Sequence, residues 1–216
     1  MDLFPLYNSI RIALISTIIN FFLGIFFAYY IAKLPRYVKG ILDVILTLPL
    51  VLPPTVVGYL LLMVLGPQRP IGRFILDNFQ VKMVMTWWAA IFATTIVAFP
   101  LMYRTARGAF ESFDEDLSSA GKTLGLTNTY IFWNIRIPYC KNGLIAGAVL
   151  SFTRALGEYG ATSMVAGYTP QKTATISTTV YNLWRINDEK MAFTWVIINI
   201  VISCAMLLVI NGFEKK

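Results

Sequence analysis

The sequence has no histidine and only two cysteines, Cys140 and Cys204. Without histidine there is no Ser–His–Asp or Cys–His set for nucleophilic catalysis and no Cys/His zinc site, and two distant cysteines do not make a disulfide framework. Charge is scarce too. Asp, Glu, Lys and Arg make up 13% of the 216 residues, against 57% hydrophobic residues and a mean hydropathy of +0.65. That balance excludes a soluble domain and points to an all-α membrane protein, because helices satisfy their own backbone polar groups inside lipid. The opening MDLFPLYNSI lacks the basic stretch of a signal peptide, so the first span is expected to stay in the mature chain.

A phosphate-binding loop is also missing. Ala120-Gly121-Lys122-Thr123 imitates the end of one, but the glycine needed five residues before the Gly-Lys pair is replaced by Asp116, whose charge would repel a phosphate. The chain is therefore expected to bind no ATP itself. The net charge of +7 does not indicate nucleic acid, since the cations lie in short loops beside apolar runs, where membrane orientation and lipid headgroups account for them.

What is present is a series of hydrophobic runs, read as about five spans in one domain: 10–32, 41–65, 83–103, 140–166 and 191–212. Each is long enough for roughly 30 Å of hydrocarbon. Lys33, Arg36 and Lys39 follow the first run and argue for a cytoplasmic end there, with the N-terminus outside and the C-terminus inside; the overall bias of Lys and Arg to the inner segments is modest. The second run carries Pro49, Pro53 and Pro54, and is expected to contain a helix break buried in protein or lining a cavity, with a simple kink as the competing reading. Segment 66–82 reads as an outer loop, and Trp87 and Trp88 mark an interface. In the fourth run Gly143, Gly147, Ser151 and Ala155 form a small-residue ridge suited to close helix approach. Beside it Ser151, Arg154, Glu158 and Thr162 fall within about 80° of arc, a polar stripe on one helix. Glu158 is read as the one carboxylate deep in a span. Charges there either pair with each other or line a watery path. Ile176, Val180, Leu183 and Trp184 give one apolar face, expected as a short interfacial helix.

The one long polar passage is 114–138, DEDLSSAGKTLGLTNTYIFWNIRIP. Leu117, Ala120, Leu124 and Thr127 fall at helical spacing, acids crowd the start, and Gly125 marks a stop before a second short helix over 129–135. Ser119-Ala120-Gly121, Gly125 and Ile135-Arg136-Ile137-Pro138 match the spacing of the E-A-A-three-G-nine-I-x-L-P loop of ABC importer permeases, with Ser for Glu, Gly for the second Ala and Ile for Leu. The passages TLPLVLPPTVVGYLLL and SFTRALGEYGATSMVAG resemble those of molybdate permeases and, for the second, less closely sulfate permeases, while TATISTTVY resembles the T-x-T…Y segment of oxyanion permeases.

This resemblance covers nearly the whole chain. It implies a permease subunit of a type I importer in a prokaryotic cell membrane, with no cofactor or metal and no catalytic residue of its own. Two copies would form the pore, two cytoplasmic ATPase subunits would dock on loop 111–138, and an external binding protein would deliver the anion. Asp114, Ser119, Ala120, Gly121, Gly125, Ile135, Ile137 and Pro138 then belong to the ATPase contact. Sulfate or tungstate remains open as cargo. A secondary transporter would need a coupling-ion site and an internal repeat, and a membrane enzyme a catalytic constellation.

The topology is testable with single cysteines in a background lacking Cys140 and Cys204. Cysteines in loop 66–82 should react with an impermeant thiol reagent on whole cells whose outer envelope, if present, is opened. Cysteines near Ser118 should react only in inverted vesicles, and reversed labelling sinks the N-out arrangement.

Overall fold

A computed structural model describes residues 2–214, with side chains described through 208. Glu214, Lys215 and Lys216, which end the C-terminus expected inside, lie outside the described side chains. The described chain is a bundle of helices. Helix α1 (Phe4–Ala32) begins on Pro5, whose fixed φ and missing donor suit a first turn, and runs 29 residues. Its buried face carries Ser9, Ala13, Ser16, Asn20, Gly24 and Ala28, while Leu14, Ile18, Phe22, Phe26 and Tyr30 point outward. This inside-out pattern is what lipid selects: apolar side chains gain nothing by leaving hydrocarbon, so small and polar residues form the helix contacts.

Helix α5 (Trp87–Glu111) is the centre of the bundle, opened by Thr86, whose hydroxyl accepts from Ala89 N at 3.3 Å. It packs against α1 on one side and α8 (Ile137–Leu156) on another. The expected small-residue ridge makes the second contact. A Cβ on Gly143 would lie 2.7 Å from Ala109 Cβ, and one on Gly147 would lie 3.0 Å from Met102 Sδ. Met102 also fills the space opposite Gly24 of α1, where a Cβ would meet its Cγ at 2.6 Å.

The second hydrophobic run is two helices, α2 (Arg36–Val51) and α3 (Pro54–Leu65), whose axes differ by 111°. This is no simple kink. Leu52 precedes Pro53 and Pro53 precedes Pro54, so both residues are pushed out of the helical region; they adopt φ −69°, ψ 140° and φ −53°, ψ 134°. Two successive extended residues turn the chain. Pro49, expected as part of the break, sits inside α2 instead. Segment 66–82, expected as a loop, contains a further helix, α4 (Pro70–Phe79), again started by proline.

After α5 come the short α6 (Glu115–Thr123) and α7 (Asn128–Ile131). The second short helix does not end before Pro138 as expected. It passes through a π turn over Phe132–Arg136, in which Ile137 N–H bonds to Phe132 O, and continues into α8. The wider turn accommodates a proline at the second position of α8, where a donor is missing.

The fourth run is also broken. Helix α8 ends at Leu156, and α9 (Gly160–Val165) starts after Gly157–Tyr159. The chain then forms α10 (Ile176–Arg185), capped by reciprocal Thr175–Thr178 bonds, and α11 (Glu189–Glu214). Ile176 is fully buried, Val180 and Leu183 pack on a core with Trp195, and Trp184 stays exposed, so most of the face expected to lie in the interface rests on protein. Among the described residues three helices, α1, α5 and α11, are each long and apolar enough to cross a membrane, and the bent α2–α3 pair makes a fourth such segment. Helix α8 has spanning length but carries Lys141, Asn142 and Arg154.

Helices α3 and α9 meet through glycine. A Cβ on Gly58 would stand 2.8 Å from Ala161 Cα, and one on Gly160 would stand 2.9 Å from Pro54 Cβ. Gly58→Val should therefore cost about 1–3 kcal/mol through overpacking and lower the melting temperature in detergent. Gly40→Ala, with nothing within 4 Å of the added carbon, should leave it unchanged or slightly raised. Equal melting of the two variants would refute the close α3–α9 contact.

Candidate functional site

The polar passage folds as a compact two-helix cap at the end of the bundle where α1 and α5 finish and α8 begins. Asp114 opens α6, its Oδ1 accepting from Asp116 N at 2.9 Å, and Glu115 and Asp116 lie where the helix dipole favours anions. Gly125 has φ +78°. Gly125 N–H bonds to Lys122 O at 2.9 Å and Leu126 N–H to Gly121 O at 3.0 Å, the paired bonds of a Schellman stop. Gly121 faces inward, its missing Cβ 3.1 Å from Ile131 Cγ1, which lets α6 lie on α7. Arg136 Nη2 donates to both Glu115 carboxylate oxygens at 2.7 and 2.9 Å while the guanidinium stacks 4.3 Å above the Phe113 ring. Behind the cap, Tyr29 of α1 touches Phe132, ring centres 4.6 Å apart.

The sequence-marked residues divide between two surfaces. Ile135 and Ile137 are half-buried and join the core that includes Phe110 and Tyr103, and Gly121 belongs to the cap's interior. Asp114, Ser119, Ala120, Gly125 and Pro138 are exposed, and Ser119 Oγ donates to Glu115 O at 3.1 Å. Around them Leu117, Leu124, Tyr130 and Trp133 are exposed as well, Leu124 at 79%. The face of α6 that reads as apolar in sequence is thus turned outward, and Ser118 and Gly121 are turned in. Gly121-Lys122-Thr123 sits within the last turn and a half of α6, not in a loop ahead of a helix N-terminus as a phosphate cradle requires.

The residues read as one polar stripe are not one stripe. Ser151 is fully buried, accepting from Asn20 Nδ2 of α1 at 3.1 Å and donating to Ala98 O of α5 at 3.5 Å. Thr162, beyond the break, faces Thr94 at 3.5 Å. Arg154 Nη1 lies 2.7 Å from Glu158 Oε2, with side-chain exposures of 29% and 2%. The other oxygen of Glu158 accepts from Ala161 N at 2.7 Å and so caps α9. The carboxylate is committed to structure on both sides.

A second charged cluster holds residues that the sequence pattern does not bring together. Asp43 of α2 pairs with Arg107 of α5 and accepts from the Tyr103 hydroxyl, while Glu111 accepts from Lys39 Nζ at 2.8 Å and Arg107 Nε at 2.9 Å. Asp43, only 18% exposed, is a carboxylate in the second run that the reading of Glu158 as the one deep acid passes over. Lys39/Asp43 and Arg107/Glu111 are each four residues apart. That spacing is visible in the sequence; that the two pairs face each other is not. The Lys39 and Arg107 hydrogen bonds hold the Glu111 carboxyl below its ordinary range.

The model of the family described as binding-protein-dependent transport system inner membrane component matches residues 20–214. The putative molybdenum transport system permease protein YvgM of Bacillus subtilis is 37% identical over 98% of this chain and 92% of its own length. The molybdenum transport system permease protein ModB of Escherichia coli K12 is 37% identical over 93% of this chain and 88% of its own. In structure, the chain matches one from the crystal structure of a bacterial ABC transporter involved in the import of the acidic polysaccharide alginate. The TM-score is 0.79 at 18% identity, over 99% of this chain and 78% of that one, a likeness of fold.

The Asp43–Arg107 contact is intermediate between exposed and buried, so Asp43→Leu or Arg107→Met alone should each cost about 1–3 kcal/mol, with the double variant losing less than the sum. Additive losses in thermal unfolding would show that the two do not interact. Glu111 releases its proton more readily in the fold than in the unfolded chain. Its contribution is therefore complete above the ordinary carboxylate value of 4.5 and is lost as pH falls below it. Glu111→Gln should flatten that acid limb of the stability curve.

Proposed function

Because the chain belongs to the family of inner membrane components of binding-protein-dependent transport systems, we propose that it is the permease of an ATP-driven molybdate importer. The observation that carries this reading is its near full-length similarity to molybdenum transport permeases in two distant bacteria. The chain is the membrane subunit and not the ATPase. Two copies form the pore, each with the N-terminus outside, and an external binding protein delivers the oxyanion to the end that holds α9 and α10. Two cytoplasmic ATPase subunits receive the α6–α7 caps. Leu117, Ala120, Leu124 and Trp133 supply the apolar contact, Asp114, Ser119 and Pro138 its rim, and Gly121, Ile135 and Ile137 brace the cap from within. ATP binding draws the two caps together and turns the pore outward; hydrolysis returns it. The pore itself needs only weak affinity for its cargo, since tight binding slows release.

Cells expressing the complete transporter should accumulate labelled molybdate, with tungstate competing strongly and sulfate weakly. Dominant competition by sulfate would reassign the cargo. Gly125 tests the coupling. Its absent Cβ points into open space and its φ is positive, a conformation that asparagine also enters. Gly125→Asn should keep both abundance and uptake. Gly125→Asp should insert normally, yet lose ATPase association and most uptake, because it puts a charge on the docking face. Unimpaired uptake in Gly125→Asp would remove this loop from coupling.

A further inference from the structure

Opposite the α6–α7 cap, a cavity of about 280 Å³ lies between the α8–α9 break and α10. Tyr159, Ser163, Tyr168, Tyr181, Asn182 and Arg185 line it. Its chemistry is one-sided, since every one of these side chains carries a hydrogen-bond donor and none is a carboxylate. The polar cavity at the cap end differs, because Glu111 and Glu115 line it among its lysines.

The donors are held in place and, apart from Ser163, whose Oγ donates to Gly160 O at 3.0 Å, largely unspent. Arg185 Nη2 donates to Asn182 Oδ1 at 3.3 Å. A guanidinium only donates, so this contact fixes the amide with its oxygen toward Arg185 and its NH2 group free. Arg185 has no carboxylate partner among the described residues, whereas Arg154, the cation of the fourth run, is paired with Glu158. The phenol hydroxyls of Tyr168 and Tyr181 have no protein hydrogen bond among the described residues. The rings of Tyr159 and Tyr181 stand 5.4 Å apart and Tyr181 leans on Trp184 at 5.9 Å, so the two walls touch across the cleft. The α10 wall is rigid: it is anchored by the Thr175–Thr178 capping box and by Ile176 N–H bonding to Ser9 Oγ of α1 at 2.8 Å.

One guanidinium with several neutral donors and no opposing carboxylate suits a small divalent oxyanion held weakly. The bonds to a charged acceptor are the strong kind, and their number is small. We propose that this cleft is a waystation for a tetrahedral oxyanion, held by Arg185, Asn182 and the Tyr168 and Tyr181 hydroxyls between the binding protein and the pore. The proposal rests on the oxyanion-import reading given above and adds the site at which the permease itself touches the cargo.

The test is equilibrium binding of labelled molybdate to the purified permease–ATPase complex in nanodiscs without the binding protein, run beside uptake in cells. The wild type should bind molybdate weakly, with displacement by tungstate and sulfate but not by equal chloride. Arg185→Gln should weaken binding about tenfold or more, as expected for a lost charged hydrogen bond, and lower uptake in parallel at matched membrane abundance. Tyr181→Phe, which keeps the ring, should weaken binding by a smaller factor, and Arg185→Lys should retain most of it. If Arg185→Gln does not accumulate, the lysine and phenylalanine variants carry the comparison. Wild-type uptake without any measurable oxyanion binding overturns the waystation and leaves the transport reading standing. Absence of both binding and uptake removes the transport reading as well. Unchanged binding in Arg185→Gln overturns the proposal, including the case in which that variant loses only its docking of the binding protein.

Discussion

The constraint on which this structure depends is that lipid gives helices no hydrophobic reason to meet. Association must come from close backbone approach and from polar groups that have no other partner. The seam between α1, α5 and α8 meets both conditions at one level. Asn20 bonds to Ser151, Ser151 reaches Ala98 O, and Met102 lies between Gly24 and Gly147. Ser16 adds a bond to Ile91 O at 3.3 Å. The same rule explains why the bulkiest residues of α1 are on its outside.

Around that seam the two ends of the bundle differ in kind. The cap end is fastened by aromatic stacking and by ion pairs, namely Tyr29–Phe132, Arg136–Glu115 and the Lys39–Asp43–Arg107–Glu111 group. Apart from the Arg154–Glu158 pair at the α8–α9 break, the far end is fastened by backbone bonds to small polar side chains. Asn8 Nδ2 donates to Ala174 O at 2.9 Å, and Ser9 receives Ile176 N–H. The first set responds to salt and acid, the second to neither. The end that carries the proposed ATPase contact is therefore also the more electrostatically adjustable one.

Much of this was legible in the sequence because it is local. The helical bundle follows from hydropathy, the Schellman stop at Gly125 from a glycine after a capped helix, and the α8 contact from its four-residue ridge. The departures are also physical. A continuous helix over 140–166 fails because Gly157 and Gly160 weaken it and the Glu158 side chain caps a new start. The prolines mark a break, but only two successive pre-proline residues produce the 111° turn, so Pro49 misleads. Helix α4 is lost in a segment whose Pro and Gly read as turn residues. The Asp43–Arg107 group and the donor cleft are products of tertiary geometry: the first joins α2 to α5, and the second forms where α10 folds back on the α8–α9 break. Pairing across helices leaves no periodic trace.

The 111° turn at Leu52–Pro53 also bears on how the protein is made. By their length α2 and α3 extend about 24 and 18 Å, so neither alone bridges roughly 30 Å of hydrocarbon. The bend is enforced by proline sterics from the moment of synthesis and does not wait for partners. Helix α3, however, finds most of its packing surface on α9, with Gly58 against Ala161, and α9 is synthesised much later. Until α9 has been made, α3 therefore lacks most of the surface it packs on. Packing of this chain is thus not strictly vectorial: one early element completes its contacts only after a late one.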